Sequence, residues 1–541
     1  MLCNSLLLSL LCFSVAVHAQ NGTWTWMNGS NFVNGVAVWG TQGLPAPGNT
    51  PPALYETANW TDEQGNFWIF GGIEGNTFDY HNGLWRFEPA TNNWTWMNGP
   101  QTPSAGVYGT QGVPSTTNYP GARGFGAATW TDNNGHLWLF GGRGIDANGF
   151  DGVLGDLWRY TIATNEWTWM KGPNTLNATG VFGTQGVAAP GNLPPPRDET
   201  NATWERNSNE LWLFGGTSYF DDMWKYDIAT NNWTWMSGNN LPTVQTVWGA
   251  QQIPSATNTP GSRAVYSHWT DRYGNFWLWG GMSLASGTFD YLNDMWKYDP
   301  VTLQWTWMAG TNLLNQPAEF FATCNFGTEA PASNFEGRAC WTDACGNFWQ
   351  LGGFANMSTV PSQNAFWMFN PSTLQFNWID GSLLVNQPSS YGTLQVPSTG
   401  SQPGGNAGSV GFTSLNGDFW LFGGYTNLSL SSISNTLWRY QRSASCPEQN
   451  GGPVIELNVF TPNGDGINDV FAFSTAATDG FELEIFSRWG NSLFRSNNPA
   501  QGWDGTFNSS AAEEGVYYWR LLTADCFGNP EVKTGFVTLM R

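Results

Sequence analysis

The sequence predicts an all-β protein, a large body of repeated antiparallel sheets followed by a small β-sandwich, and three observations carry that reading. Short apolar and aromatic runs alternate with turn residues along the chain, which is the pattern of strands. A glycine pair recurs at Gly71-Gly72, Gly141-Gly142, Gly215-Gly216, Gly280-Gly281, Gly352-Gly353 and Gly423-Gly424. The spacings are 70, 74, 65, 72 and 71 residues, and a steady period of that size marks a repeat architecture. Trp occurs 34 times and Gly 66 times while charged residues make up 11%, a balance that suits short strands and turns. A chain of 541 residues has room for a repeat body and one modest extra domain.

Residues 1–19 hold the apolar run Leu6 to Val17 and end Val17-His18-Ala19, the form of a secretory signal, although no basic residue stands near Met1. Cys12 follows Leu11 without the small residue that lipidation wants, and no later apolar run is long enough to cross a membrane as a helix. Export would put the remaining cysteines where disulfides form. Cys324, Cys340 and Cys345 lie close in sequence and two of them are candidates to pair; Cys446 and Cys526 flank the last domain and would tie its ends. No C-x-x-C occurs, so a structural zinc site is not expected. The formal charge of -21 repels phosphate backbones and anionic lipid, which argues against nucleic-acid binding; the carboxylates are read as keeping an aromatic-rich exported chain soluble.

Each repeat contains four runs, here A to D. Run A ends as in Trp60-Thr61-Asp62, a turn with Gly65 follows, and run B is Phe67-Trp68-Ile69-Phe70; two such runs about a tight turn make a hairpin. After the glycine pair and a loop comes run C, Leu84-Trp85-Arg86-Phe87 and its counterparts at Trp158, Trp224, Trp296, Trp367 and Trp438. Alternation puts Trp and the next aromatic on one face and the cation on the other, where it is expected over a Trp of the next sheet. Run D is Trp94-Thr95-Trp96-Met97. One further D run, Trp24-Thr25-Trp26-Met27, precedes every A, B and C run, while the sixth set ends at Tyr440 with no D behind it. Six complete sheets therefore require the first D to join the last A, B and C, closing a ring of sheets, a six-bladed β-propeller spanning residues 20–440.

The glycine pairs with the six C-run tryptophans resemble the kelch repeat, a propeller-blade family that includes the galactose oxidase propeller. The period here is longer, because of insertions between D and the next A. Those insertions share an aromatic followed by Gly at Trp39, Tyr108, Phe182, Trp248, Phe326 and Tyr391. The preferred reading is that each ring plugs a gap between neighbouring sheets; the other is a ring of stacking residues for a glycan or peptide on an elaborated rim.

Residues 441–453 are a polar connector, and short alternating runs in 454–541 suggest a small Ig-like sandwich. The run Asn458 to Asp469, with Asn463, Gly464, Asp465, Gly466, Asn468 and Asp469, resembles the opening of the gliding-motility-associated C-terminal domain, and Trp489-Gly490-Asn491, Trp503-Asp504-Gly505 and Gly515-Val516-Tyr517-Tyr518 match its later landmarks. The resemblance implies a type B sorting signal read by the type IX secretion machinery, hence a chain secreted or placed on the outer cell surface by way of the periplasm. Taken alone, these oxygen-bearing side chains have the spacing of a calcium loop but lack its distant bidentate Glu; turn-shaping is the preferred reading, with no cofactor expected.

Catalytic motifs are missing: no G-x-S-x-G, H-E-x-x-H or G-x-x-x-x-G-K occurs. His81, His136 and His268 do not converge by connectivity, so a copper radical site like that of galactose oxidase has no ligand set. Asp62, Asp132, Asp271 and Asp343 recur at one turn position and are read as caps. The acids Asp79, Asp146, Asp151, Asp221 and Asp290, treated as unrepeated, are the candidates for an acid and base pair in glycan cleavage. The expectation is a surface or secreted protein binding a glycan or protein partner, with a polysaccharide-active enzyme and a structural surface component as alternatives.

Overall fold

The computed structural model describes residues 22–75, 77–176, 178–199, 203–217, 220–318, 330–354, 361–382, 384–426, 432–442, 459–463, 469–473, 481–498, 501–508, 510–524 and 530–541. The signal segment, Phe326, Cys324, Cys446, Cys526, Gly464, Asp465, Gly466 and Asn468 lie outside them. The chain falls into two compact units, Met1–Trp341 with Trp349–Phe369 and Gln375–Cys446, and Thr342–Phe348 with Asn370–Leu374 and Pro447–Arg541.

Among the described residues every regular element is a strand, and six sheets have four strands each, an arrangement consistent with a propeller. The first runs Ala58–Thr61, Phe67–Phe70, Leu84–Glu88, Asn93–Asn98, the predicted A to D order. The sheet of Val410–Thr413, Phe419–Phe422 and Leu437–Arg442 takes its fourth strand from Gly22–Asn28. Its register repeats that of the other sheets: Trp24 faces Tyr440 and Trp26 faces Trp438, as Trp94 faces Phe87 and Trp96 faces Trp85.

One side chain type ties each sheet to the next. The A-strand indole N–H of Trp60 donates to Trp138 O at 2.9 Å, that of Trp130 to Trp212 O at 3.0 Å, of Trp204 to Trp269 O at 2.9 Å, of Trp269 to Trp349 O at 3.3 Å and of Trp341 to Phe412 O at 2.9 Å. The sixth A strand has Phe412 there, which cannot donate and instead stacks on Phe67 of the first sheet at 4.7 Å. Stacking of this kind is favourable beyond the area it buries.

One expectation changes. The C-strand cations lie over a Trp of their own sheet, Arg86 over Trp68 and Arg159 over Trp138, each at 5.8 Å. Trp68 and Arg86 are direct cross-strand partners, so the same-sheet ring is simply the nearer one. The D-to-A insertions touch the outer strand, bridging Ala46 to Trp94, Ser115 to Trp167, Ala189 to Trp233 and Ser255 to Trp305. Asn49 holds its insertion down by donating from Nδ2 to Leu44 O and Trp94 O, both at 3.1 Å, and Asn118, Asn192 and Asn258 repeat the device. Unpaired groups of the outer edge are thereby covered.

The second unit contains a five-stranded sheet in the order Val459–Phe460, Pro530–Leu539, Gly515–Ala524, Glu482–Phe486, Ser492–Ser496. Phe460, Phe473, Trp503, Trp519 and Leu539 belong to its buried core. In the fifth repeat Cys345 is disulfide-bonded and Cys340 is a free thiol.

Candidate functional site

Just before each A strand one residue adopts the left-handed conformation: Glu56, Phe125, Glu199, Val265, Glu336 and Gly408, with φ between 51° and 63°. Only Gly adopts it freely, so five side chains are held there by their surroundings. Their backbones form a chain of bonds from repeat to repeat. The N–H of Glu199 donates to Phe125 O at 2.7 Å, of Val265 to Glu199 O at 3.2 Å, of Glu336 to Val265 O at 3.1 Å, of Gly408 to Glu336 O at 3.0 Å, and of Glu56 to Gly408 O at 2.8 Å. The last bond joins the sixth repeat to the first.

Alternate members of this chain are glutamates, and they converge on one guanidinium. Arg338 reaches Glu56 Oε2 at 3.2 Å, Glu336 Oε2 at 2.8 Å, and Glu199 Oε2. All four side chains are nearly or fully buried. Burial, then mutual repulsion with Glu336, pushes the Glu56 carboxyl well above the usual range against the pull of Arg338; burial and the neighbouring Glu56 and Glu336 do the same to Glu199. The three glutamates outweigh the cost of burying Arg338 and hold it charged. Oxygens of the three lie within 4.8 Å of one another, a spacing that suits a metal ion, but the guanidinium stands where the cation would. Gly126 is required beside it, since a Cβ there would fall 2.4 Å from Arg338 Nη1. Tyr55 and Tyr425 stack nearby at 4.2 Å, with Phe125 at 6.3 Å from Tyr55 and Tyr80 at 6.1 Å from Phe125.

Other buried charges are repeated and structural. Arg123 pairs with Asp156, Arg197 with Asp222 and Arg263 with Asp294 at 2.7–2.8 Å, and each Arg also donates to the first glycine of its pair. Where the Arg becomes Asn334 or Asn406, the Asp becomes Ala365 or Thr436, and the Asn still donates to Gly352 O or Gly423 O. Charge and counter-charge leave together because either alone would be an unpaired buried ion. Asp62, Asp132, Asp271 and Asp343 cap their turns: Asp62 accepts from the N–H groups of Gln64 and Asn66 and from Trp68 Nε1, at 2.8–3.0 Å.

The aromatics that precede glycine stand against the C and D tryptophans of one sheet. Trp39 lies 4.8 Å from Trp85 and 5.3 Å from Trp96; Phe182 is 5.2 Å from both Trp224 and Trp235; Tyr391 is 5.2 Å from both Trp26 and Trp438. Tyr108 is buried and donates to Asp156 Oδ2 at 2.7 Å, and Trp248 Nε1 donates to Asp294 Oδ2 at 3.2 Å. Asn463 and Asp469 belong to the second unit.

Three of the acids taken as unrepeated belong to a repeated pair of residues. Phe78-Asp79, Phe150-Asp151 and Phe289-Asp290 occupy corresponding B-to-C connections, and that recurrence was the signal available in the sequence; Phe220-Asp221 repeats the dipeptide at another place, with Asp221 directly before Asp222, where the first and fourth repeats have Asn82 and Asn293. The carboxylates have local work: Asp151 pairs with Arg143 at 3.2 Å, Asp221 accepts from Asn239 N at 2.8 Å and Thr259 Oγ1 at 3.1 Å, and Asp290 accepts from Ser286 Oγ. Asp146 caps its own turn through the N–H groups of Asn148 and Phe150. The phenylalanines face outward, Phe78 49% exposed, Phe150 66% and Phe289 47%. Phe78 holds φ at 58°, a strained setting for a bulky residue.

No curated protein matches the chain by sequence. Among solved structures it is similar to YjhT, at 13% identity and a TM-score of 0.43 over 73% of this chain and 98% of that one. It is also similar to a novel fungal alcohol oxidase of the AA5 family in complex with copper, at 12% identity and a TM-score of 0.40 over 93% of this chain and 100% of that one. Residues 454–539 match the family model of the CHU_C type IX secretion signal domain, which marks the chain for export by type IX secretion.

Proposed function

We propose that this is a surface-displayed or secreted binding protein in which residues 20–440 form a closed six-bladed kelch-like propeller and 454–541 an Ig-like sorting domain joined by 441–453. Its ligand, a glycan or a protein, is held at the tips of the B-to-C connections. The observation that carries the reading is the repeated Phe-Asp tip, with three phenylalanines at one repeated position 47–66% exposed to water. Exposed aromatics beside fixed carboxylates offer a stacking face and hydrogen-bond acceptors together. Trp39, Tyr108, Phe182, Trp248 and Tyr391 serve this reading as wedges that steady each sheet's edge.

The test is binding of the full chain to an array of polysaccharides and extracellular proteins, beside a triple Phe78→Ala, Phe150→Ala, Phe289→Ala variant. The variant should melt as the parent does and bind at least tenfold more weakly. Equal binding by the two would overturn the assignment, and released sugar products would transfer it to a polysaccharide-active enzyme.

A further inference from the structure

The sheet of the second unit has two unlike faces. Along Gly515–Ala524, Tyr517, Trp519 and Leu521 point into the core, while Val516 and Tyr518 point out at 45% and 51% exposure. The neighbouring strand repeats the split: Val537 and Leu539 are in the core, whereas Val532 and Phe536 stand 59% and 51% exposed. Registers align the outward side chains across three strands. Phe536 faces Tyr518, and Tyr518 faces Phe486, giving one continuous aromatic row. The next row is charged, with Arg520 facing Glu484 and bonded to it at 2.8 Å, and Arg520 also lies over the Phe486 ring at 5.9 Å. At the end of the hairpin between Glu482–Phe486 and Ser492–Ser496, Trp489 is 78% exposed.

Cross-strand aromatic pairs steady a sheet, and a single pair on a wet face would need no other account. Here Val516, two residues before Tyr518 on the same face, extends the row, and exposed apolar side chains so aligned are of the kind that marks an interaction surface. The unit matches a secretion signal domain over residues 454–539, so the partner it has to meet is the secretion machinery. We propose that the Phe486–Tyr518–Phe536 row, with Val516 beside it, is the surface by which a protein component of the type IX secretion machinery recognises this chain. That component presents an apolar surface to the row, and the Arg520–Glu484 ladder fixes orientation at the rim, since charged rims set register more than affinity.

The experiment uses the full-length chain in a host that has type IX secretion. A Tyr518→Ser, Phe536→Ser double variant should accumulate inside the cell envelope, with its extracellular fraction reduced at least fivefold. A second variant, Tyr518→Lys, keeps the strand and removes only the apolar character; it should be exported as poorly while the purified protein melts like the parent. In parallel, a photo-crosslinking phenylalanine at position 536 should join to a translocon component. Normal export of the folded Lys variant would overturn the proposal. So would crosslinks confined to the chain itself, to a second copy or to lipid. These outcomes are independent of ligand binding by the repeats, so the two proposals fail separately.

Discussion

Five residues after the C strand's second aromatic, in the first five repeats, the chain makes a left-handed turn, and the repeats treat that turn unequally. Tyr160 donates to Asn165 Oδ1 at 2.7 Å and Tyr226 to Asn231 Oδ1 at 2.8 Å, with both asparagines at φ near 56°. The first repeat keeps Asn92 but has Phe87, so the Asn92 Oδ1 is buried without a donor. The fourth keeps Tyr298 but has Leu303 at φ 58°, leaving the hydroxyl with no asparagine and a branched side chain in a conformation that Asn tolerates and Leu does not. Restoring the missing partner should therefore stabilise both. Phe87→Tyr adds one buried hydrogen bond, about 1 kcal/mol, and Leu303→Asn adds a bond and relieves about 1 kcal/mol of backbone cost. Each should raise the thermal midpoint; a fall in either would show that the pocket cannot take the added group. These gaps were legible in the sequence as soon as the repeats were aligned, because they depend only on which residue stands at a repeated position.

Among the elements, the strand Gly22–Asn28 stands apart, because it has no covalent neighbour in its own sheet. Trp24 is 2% exposed and packs 4.9 Å from Tyr440 and 5.6 Å from Phe366, so the first strand also seals the fifth and sixth sheets. Truncation before Gly29 would open the edge of Leu437–Arg442 and empty the Trp24 site. A Trp24→Ala change alone should cost about 3–5 kcal/mol, and the truncation should aggregate or melt far below the parent; an unchanged melt would mean that closure is not what stabilises the body. Counting D runs against A, B and C runs was enough to foresee this strand, since each run carries its own aromatic signature. The path of the insertions was not foreseeable that way. They touch the outer strand through isolated bridges and an asparagine side chain, which leave no alternation to read, although Asn49, Asn118, Asn192 and Asn258 each stand two residues before a proline. The Arg338 cluster was hidden for a different reason: its glutamates come from alternate repeats, and sequence distance conceals that equivalent turns meet.

Across the whole molecule, the acids that converge inside the repeats set how stability follows pH. Burial raises Asp198 to about 6, raises Asp221 above its ordinary value, and raises Glu56 and Glu199 well above theirs. A carboxyl raised in the folded state keeps a proton that the unfolded chain releases above about pH 4. Its contribution is full below that value and is lost as pH climbs through the folded value. His268, lowered by burial to about 4, works the other way, costing stability as pH falls from about 6.5 toward 4. Four carboxyls oppose one imidazole, so between pH 5 and pH 8 the carboxyls decide the sign. The thermal midpoint should fall across that window, and an Asp198→Asn, Asp221→Asn variant should show a shallower fall than the parent. The proteins compared must share salt, since the chain carries a formal charge of -21 and its diffuse self-repulsion is screened by ions while the buried groups are not. That difference separates the two sources: added salt should lift the whole curve without flattening it, whereas removing the buried carboxyls should flatten it at any salt. A midpoint that rises steadily from pH 5 to pH 8 would mean that these groups titrate as they do in the unfolded chain, and that the burial of acids inside the repeats carries no energetic weight.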